Sequence, residues 1–359
     1  MTFASDRITA AHGPCGRGVA RAMAVAAALG AALAGATAAS AAEKPDYRSA
    51  AGSVHLRYLN AGGGDIRAVP RIGLSFGERV MRAELDSGST GVVVAAALIP
   101  GFDQLPVISD GRLTYTSSGR VMIGSWVTTP LSLVGEDGAS VTTEPMPILA
   151  VTRVECLEQS RNCTPNDDPR DIAMVGIGFA REGDRQAEST PEKNPLLRVS
   201  AGTARKGYVL RAEGIDVGID EKVARGDFRF VKLERQEDLP DWKAVPACIS
   251  VGGASPAACG TMLVDTGVGD MFLTVPPSEA QPGPLDDGTE IAVLLGDDSA
   301  SEPLYSFTTG DGSQPMAPAR VHLDVSDRKK PFVNTSFHFL NGFDVLFDAE
   351  GGWVGFKRR

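Results

Sequence analysis

The sequence predicts an all-β protein with few short helices, built as two lobes. Three observations lead there. Gly (41) and Pro (23) are abundant, aromatic residues make up only 6%, and no long amphipathic helical stretch occurs, which suits many short strands and turns. The 359 residues are too many for one small core and fit two lobes of ordinary size. One short pattern also occurs once in each half: an apolar run ending in Asp, then a small hydroxyl residue, then Gly. It reads Leu85-Asp86-Ser87-Gly88-Ser89-Thr90-Gly91 in the first half and Leu263-Val264-Asp265-Thr266-Gly267-Val268 in the second.

Taken in order, the chain opens on a targeting segment. Arg17 and Arg21 precede an Ala-rich apolar run from Ala22 to Ala38, and Ala39-Ser40-Ala41 gives a small-x-small cleavage pattern. Residues 1–41 therefore read as a secretory signal peptide and predict an exported protein, periplasmic or extracellular. A single membrane anchor is the rival, but the run is short and Ala-rich for a span of about 20 strongly apolar residues. No later stretch is expected to enter a membrane. Residues 42–68 are polar and Gly-rich and read as an N-terminal arm.

The first lobe is predicted over 69–200. Pro70 to Phe76 and Val80 to Leu85 form a hairpin whose second strand ends on Asp86. Val92 to Leu98 is the next apolar run. A second hairpin spans about Gly111 to Ser125, with Tyr115-Thr116-Ser117-Ser118-Gly119 at its tip. Leu131 to Leu133, Met146 to Val154 and Ile172 to Gly178 continue as strands. The boundary falls within or just after the charged, Pro-containing residues 181–206, where Asn194 to Leu197 suggests a short helix. The second lobe, 207–359, restarts with strands at Tyr208 to Leu210 and Ile215 to Gly218, and Thr261 to Val264 delivers Asp265. It closes on Phe343 to Asp348 and Trp353 to Phe356.

The cysteines and the charge bound the partners. Cys15 leaves with the signal, and Cys156, Cys163, Cys248 and Cys259 remain as two local pairs. An even count in an exported chain predicts the disulfides Cys156–Cys163 and Cys248–Cys259. Zinc is the rival, but the spacings are wrong for a knuckle and no His is adjacent. His55, His322 and His338 lack metal-ligand spacing, so neither a metal nor a cofactor is expected. The net charge of −10 and pI near 5.0 argue against nucleic acid and anionic membrane as partners.

The two Asp patterns carry the chemistry. Average residue usage gives about 0.2 chance matches to Asp-(Ser/Thr)-Gly in such a chain, so two are on the order of a 2% accident. Each strand would bring its Asp to a shared site between the lobes. Gly88 and Gly267 would let the backbone turn tightly and lend an N–H to the carboxylate. The hydroxyls of Ser87 and Thr266 would bond across to the opposite loop. Two carboxylates a few Å apart do not both ionise readily, so they share one proton and their pKa values separate. One can then take a proton from a bound water while the other polarises a carbonyl.

With these residues in view, the chain resembles the bilobal, pepsin-like aspartic peptidases over most of 69–356, as a bacterial-type exported member. The likeness rests on both Asp loops and on Leu113 to Gly119, which is similar to the family's flap. Met174-Val175-Gly176 is similar to the strand that braces the first Asp loop. Cys248, Cys259 and the closing strands add to it. The resemblance implies a double β-barrel with a cleft between lobes, and a monomer that hydrolyses extended peptide or protein substrates. It implies a catalytic pair of Asp86 and Asp265, with Ser87, Gly88, Ser89, Thr266 and Gly267 in support. Ser89 would bond the outer oxygen of Asp86, and Tyr115, Thr116, Ser117 and Gly119 would contact substrate from the flap.

Three positions depart from the family pattern. Val268 stands where a hydroxyl usually bonds the second Asp, so Asp265 is expected to lose one stabilising hydrogen bond and the pair to titrate less acidically. Val93 stands where a Trp often restrains the flap Tyr. Phe332-Val333-Asn334 replaces the second hydrophobic-hydrophobic-Gly. A catalytically weakened pepsin-like peptide- or protein-binding module is therefore the alternative. Retention of both Asp residues and both hydroxyl neighbours argues against that alternative. Ordinary turn aspartates are the plainest reading of the two patterns, and the matching context in both halves argues against it.

Overall fold

The computed structural model describes residues 45–359, apart from 51, 78, 116, 117, 161, 162, 183–189, 200, 201, 203 and 278–280. The predicted signal peptide, and Thr116 and Ser117 of the expected flap, lie outside the described residues. Among those described, short strands dominate and no helix reaches seven residues.

The strands form three sheets. A nine-stranded sheet is built from residues 71–177, an eight-stranded sheet from 245–334, and a six-stranded sheet draws on the beginning, middle and end of the described chain. In the last, Val54–Arg57 pairs with Gly214–Ile219, then Arg205–Leu210, Phe343–Asp348, Trp353–Arg358 and Arg229–Lys232 follow. Val54–Arg57 falls within the stretch read as an arm. Its four residues bury only Leu56 fully, too short a signal to read, and pairing some 160 residues away defines it.

Several expected elements form with small shifts. The first hairpin pairs Arg71–Ser75 with Val80–Asp86, and the second pairs Val107–Tyr115 with Arg120–Thr129, longer than predicted. Asn194 opens one 3-10 turn, Pro195–Leu197, its side chain accepting from the Leu196 N–H at 3.0 Å. Both expected disulfides, Cys156–Cys163 and Cys248–Cys259, are present.

One core joins the three sheets. Leu85 and Val175 from the first, Met262 and Leu273 from the second, and Tyr208 and Phe347 from the third belong to a single buried cluster. The Tyr208 hydroxyl donates to the Ile177 carbonyl, tying the six-stranded sheet to the strand beside Asp86.

A local arrangement that positions the Asp loops occurs twice. Val80–Asp86 and Thr90–Ala95 are separated by an inserted strand, Ala173–Ile177, parallel to the first and antiparallel to the second. Ala258–Leu263 and Met271–Val275 are separated in the same way by Phe332–Asn334. The Asp loop must therefore cross over the end of the inserted strand. At Gly176, opposite Asp86, a Cβ would lie 2.7 Å from the Gly91 carbonyl oxygen, so only glycine fits under the crossing.

The register corrects one expectation. Met174 sits opposite Glu84, two residues before Asp86, and Asn334 sits opposite Leu263, two before Asp265. The counterpart of Met174 is therefore Asn334, and the counterpart of Gly176 is Ser336 rather than Asn334. Ser336 is fully buried with φ of 64°, one of two non-glycine residues with a positive φ among the described residues, Ala180 being the other.

Candidate active site

Asp86 ends its strand and Asp265 follows Leu263 by two residues; both are buried, at 9% and 6% exposure. Two crossed pairs of hydrogen bonds lock their loops together. The Ser87 N–H donates to Thr266 Oγ1 at 2.9 Å, and the Thr266 N–H donates to Ser87 Oγ at 3.0 Å. Each hydroxyl then donates to the opposite strand: Ser87 Oγ to the Val264 carbonyl at 2.6 Å, Thr266 Oγ1 to the Leu85 carbonyl at 2.7 Å. Four buried backbone groups near the ends of two apolar strands are satisfied this way, each of which costs about 1–3 kcal/mol when unpaired. Ser87 and Thr266 are what hold the two halves of the site in register.

Each carboxylate is held by its own loop and faces the other. The Gly88 N–H donates to Asp86 Oδ1 at 2.7 Å, and the Gly267 N–H to Asp265 Oδ1 at 2.8 Å. A Cβ on Gly88 would lie 2.3 Å from Asp265 Oδ1, and one on Gly267 would lie 2.4 Å from Asp86 Oδ1. Each glycine is therefore the surface on which the opposite carboxylate rests. Arg181 Nη1 donates to the Ser87 carbonyl at 3.3 Å, a cation beside the pair that sequence reasoning missed because it lies in a charged connecting segment.

The outer oxygens are satisfied by two different devices. Ser89 Oγ donates to Asp86 Oδ2 at 2.5 Å, and the same hydroxyl lies 3.7 Å from Met174 Sδ. On the other side Val268 has no hydroxyl, yet Asp265 Oδ2 is not left bare. Asn334 Nδ2 donates to it at 2.5 Å. The expected loss of a hydrogen bond at Asp265 is thus made good from the inserted strand. Hydroxyl at 89 with Met at 174 in one half becomes Val at 268 with amide at 334 in the other. The readable signal was the coincidence of a missing hydroxyl at Val268 and a new amide donor near the end of the chain, which only the register joins.

The electrostatics follow from burial and proximity. Burial first, then the Asp265 carboxylate, push Asp86 up from 3.8 to about 7, against the Ser89 and Gly88 hydrogen bonds and the Arg181 charge. The folded protein holds this proton more tightly than the unfolded chain does. The stability Asp86 contributes is therefore fully present below about pH 4 and lost as pH rises through about 7. The melting temperature is expected to decline across that window, and Asp86→Asn to flatten the decline. An equal slope in the variant contradicts the assignment.

Tyr115 is half-buried at the end of its strand and packs on a satellite core of Val93, Leu113, Met122, Trp126 and Leu149. Met174 packs on the same cluster, so the hairpin's interior extends to the Asp86 loop through the sulfur beside Ser89. Trp126, from the hairpin's own strand, stands in this cluster beside Val93.

The hairpin tip is clasped from outside. Gly119, with φ of 70°, turns the chain, and its N–H donates to the Tyr115 carbonyl at 2.8 Å. The Leu157 N–H donates to the Gly119 carbonyl at 2.8 Å, and Ser160 Oγ donates to the Ser118 carbonyl at 3.0 Å. Leu157 and Ser160 belong to the loop closed by Cys156–Cys163. Replacing both cysteines by Ser should cost about 2 kcal/mol by loop-closure entropy and lower the melting temperature by a few degrees. Amide exchange at Leu157 should accelerate with it; unchanged protection there would show that the loop does not depend on the disulfide.

No protein-family model matches the chain, and no curated protein matches it.

Proposed function

We propose that this chain is an exported aspartic endopeptidase of pepsin-like architecture, with Asp86 and Asp265 as its catalytic pair in a cleft between two lobes. The observation that carries the reading is the mutual seating of the Asp loops. Two buried carboxylates rest on each other's glycines, and their hydroxyl neighbours bond across. Nothing in ordinary turn chemistry calls for two buried acids at such close quarters, since burial penalises each charge and proximity penalises the pair. The proposed step is direct hydrolysis. A water held between the carboxylates attacks the carbonyl carbon of an extended peptide. One carboxylate takes the water's proton, and the protonated partner gives its proton to the carbonyl oxygen, leaving a neutral gem-diol. The nitrogen then takes the first proton as the C–N bond breaks, and one diol hydroxyl returns a proton to the other carboxyl. The cycle thus restores the pair with one shared proton.

Tyr115 and the hairpin around Gly119 are proposed as the flap, bonding the substrate's main chain in the manner of an added strand. Two disulfides and the absence, among the described residues, of a helix able to cross a membrane are compatible with export. Partners are peptides or protein segments in extended form. The test is cleavage of a peptide library followed by mass spectrometry across pH. Cleavage should extend toward neutrality, with its basic limb near the upper titration of the pair. A profile that peaks below about pH 3, under the usual carboxyl range, would contradict the account.

A further inference from the structure

We propose that Asn334 is a positioning residue that fixes Asp265 as the ionised member of the pair, so that Asp86 carries the shared proton. The inference deepens the dyad reading and rests on it for its catalytic meaning, but its evidence is the geometry of the two outer oxygens.

An amide NH₂ donates and never accepts, whereas a hydroxyl does either. Asn334 is also held in one orientation, because its Oδ1 accepts from the Ser336 N–H at 3.1 Å. Its Nδ2 is therefore committed to Asp265 Oδ2, at 2.5 Å. A proton on that oxygen would meet an N–H head-on. The inner oxygen of Asp265 faces the Gly267 N–H at 2.8 Å. Asp265 is thus met by fixed donors on both oxygens, a surrounding that favours its charged form.

Asp86 meets one fixed donor and one adjustable group. The Gly88 N–H faces its Oδ1. Ser89 donates to its Oδ2, but Ser89 Oγ also lies within reach of Met174 Sδ. The hydroxyl can turn toward the thioether and accept from a protonated Asp86. Met174 and Asn334 occupy the same register position in the two halves. The exchange of thioether for amide is therefore what breaks the symmetry of the site. The charged groups set against Asp86 are Asp265 across the gap and Arg181 behind the Ser87 carbonyl. Arg181 favours charge on Asp86, and burial and the Asp265 carboxylate outweigh it. In the hydrolytic step, Asp265 is then the base that takes the proton from water, and Asp86 is the acid that polarises the carbonyl.

The experiment is a carbon-13 NMR titration of the aspartate carboxyl groups in the whole chain, with Asp86 and Asp265 assigned through their Asn variants. Coupled groups share their macroscopic steps, so the readout is which resonance moves most when the pair takes its first proton. The proposal expects Asp86 to carry the larger share in the wild type. Asn334→Met should shift that share toward Asp265, because it removes the amide donor committed to Asp265 Oδ2. Val268→Ser in the Asn334→Met background should return it, since it rebuilds the hydroxyl device of the first half. A wild-type chain in which Asp265 moves first overturns the proposal. So does an Asn334→Met variant with an unchanged split. Should that variant not fold, the wild-type titration alone decides. A wild type that cleaves no peptide sinks the protease reading, while the titration still says where the proton sits.

Discussion

Asp86→Asn and Asp265→Asn should each reduce the proposed peptide cleavage by about 10³-fold or more while the fold survives. Each substitution keeps the side-chain shape and the acceptor oxygen for the loop glycine, Gly88 or Gly267. What it removes is the ability to move a proton. An Asn at 86 can still polarise a carbonyl weakly but cannot return a proton to the cycle, and an Asn at 265 cannot take one from water. The stability effect has the opposite sign from the usual buried-polar substitution. Asp86 is pushed up by burial and by Asp265, so its charge opposes folding at neutral pH. Neutralising it should leave the melting temperature equal or raise it by a few degrees at pH 7, the pattern of an active-site residue that trades stability for function. Cleavage by a folded Asp265→Asn chain within tenfold of wild type would remove Asp265 from the mechanism.

Gly88→Ala is the second large effect. The added Cβ would lie 2.3 Å from Asp265 Oδ1 and 2.4 Å from its Cγ and Oδ2. Ordinary contact needs roughly 3.5 Å, so the carboxylate or the loop must move by about an ångström. Neither has room to yield, because Thr266 and Ser87 fasten both loops to the strands beneath. A displacement of that size in a proton-transfer site costs about 10²-fold in kcat/KM. Gly267→Ala repeats the effect from the other side, its Cβ lying 2.4 Å from Asp86 Oδ1. Gly64→Ala serves as the control, since a Cβ there meets nothing within 4 Å. Comparable loss in all three variants would mean that the effect is not the carboxylate contact.

The Asp loops were legible because their information is local. Strand, acid, hydroxyl and glycine occur within seven residues, and the function of each can be argued from its type. Both disulfides were legible for the same reason, being seven and eleven residues apart. What was not legible depends on register between distant segments. Asn334 lies 69 residues from the carboxylate it serves. Read against an expected glycine it looks like a loss; the parallel pairing moves it two positions and makes it a donor. The strand Val54–Arg57 was missed because four residues carry too little alternation to announce a partner beyond residue 213. The clasp of Leu157 and Ser160 on the hairpin tip was missed because polar loop residues bonding to backbone leave no pattern in a sequence.

The claim at the centre is that Asp86 and Asp265 form one working site. Calorimetric titration of the wild-type chain with a pepstatin-type peptide tests it most directly, because the hydroxyl-bearing carbon of such a peptide stands in for the tetrahedral intermediate. The account predicts one peptide bound per chain, a melting temperature that rises with peptide concentration, and binding weakened at least tenfold in Asp265→Asn. A folded wild-type chain that binds no such peptide, with a melting temperature indifferent to it, would contradict the account.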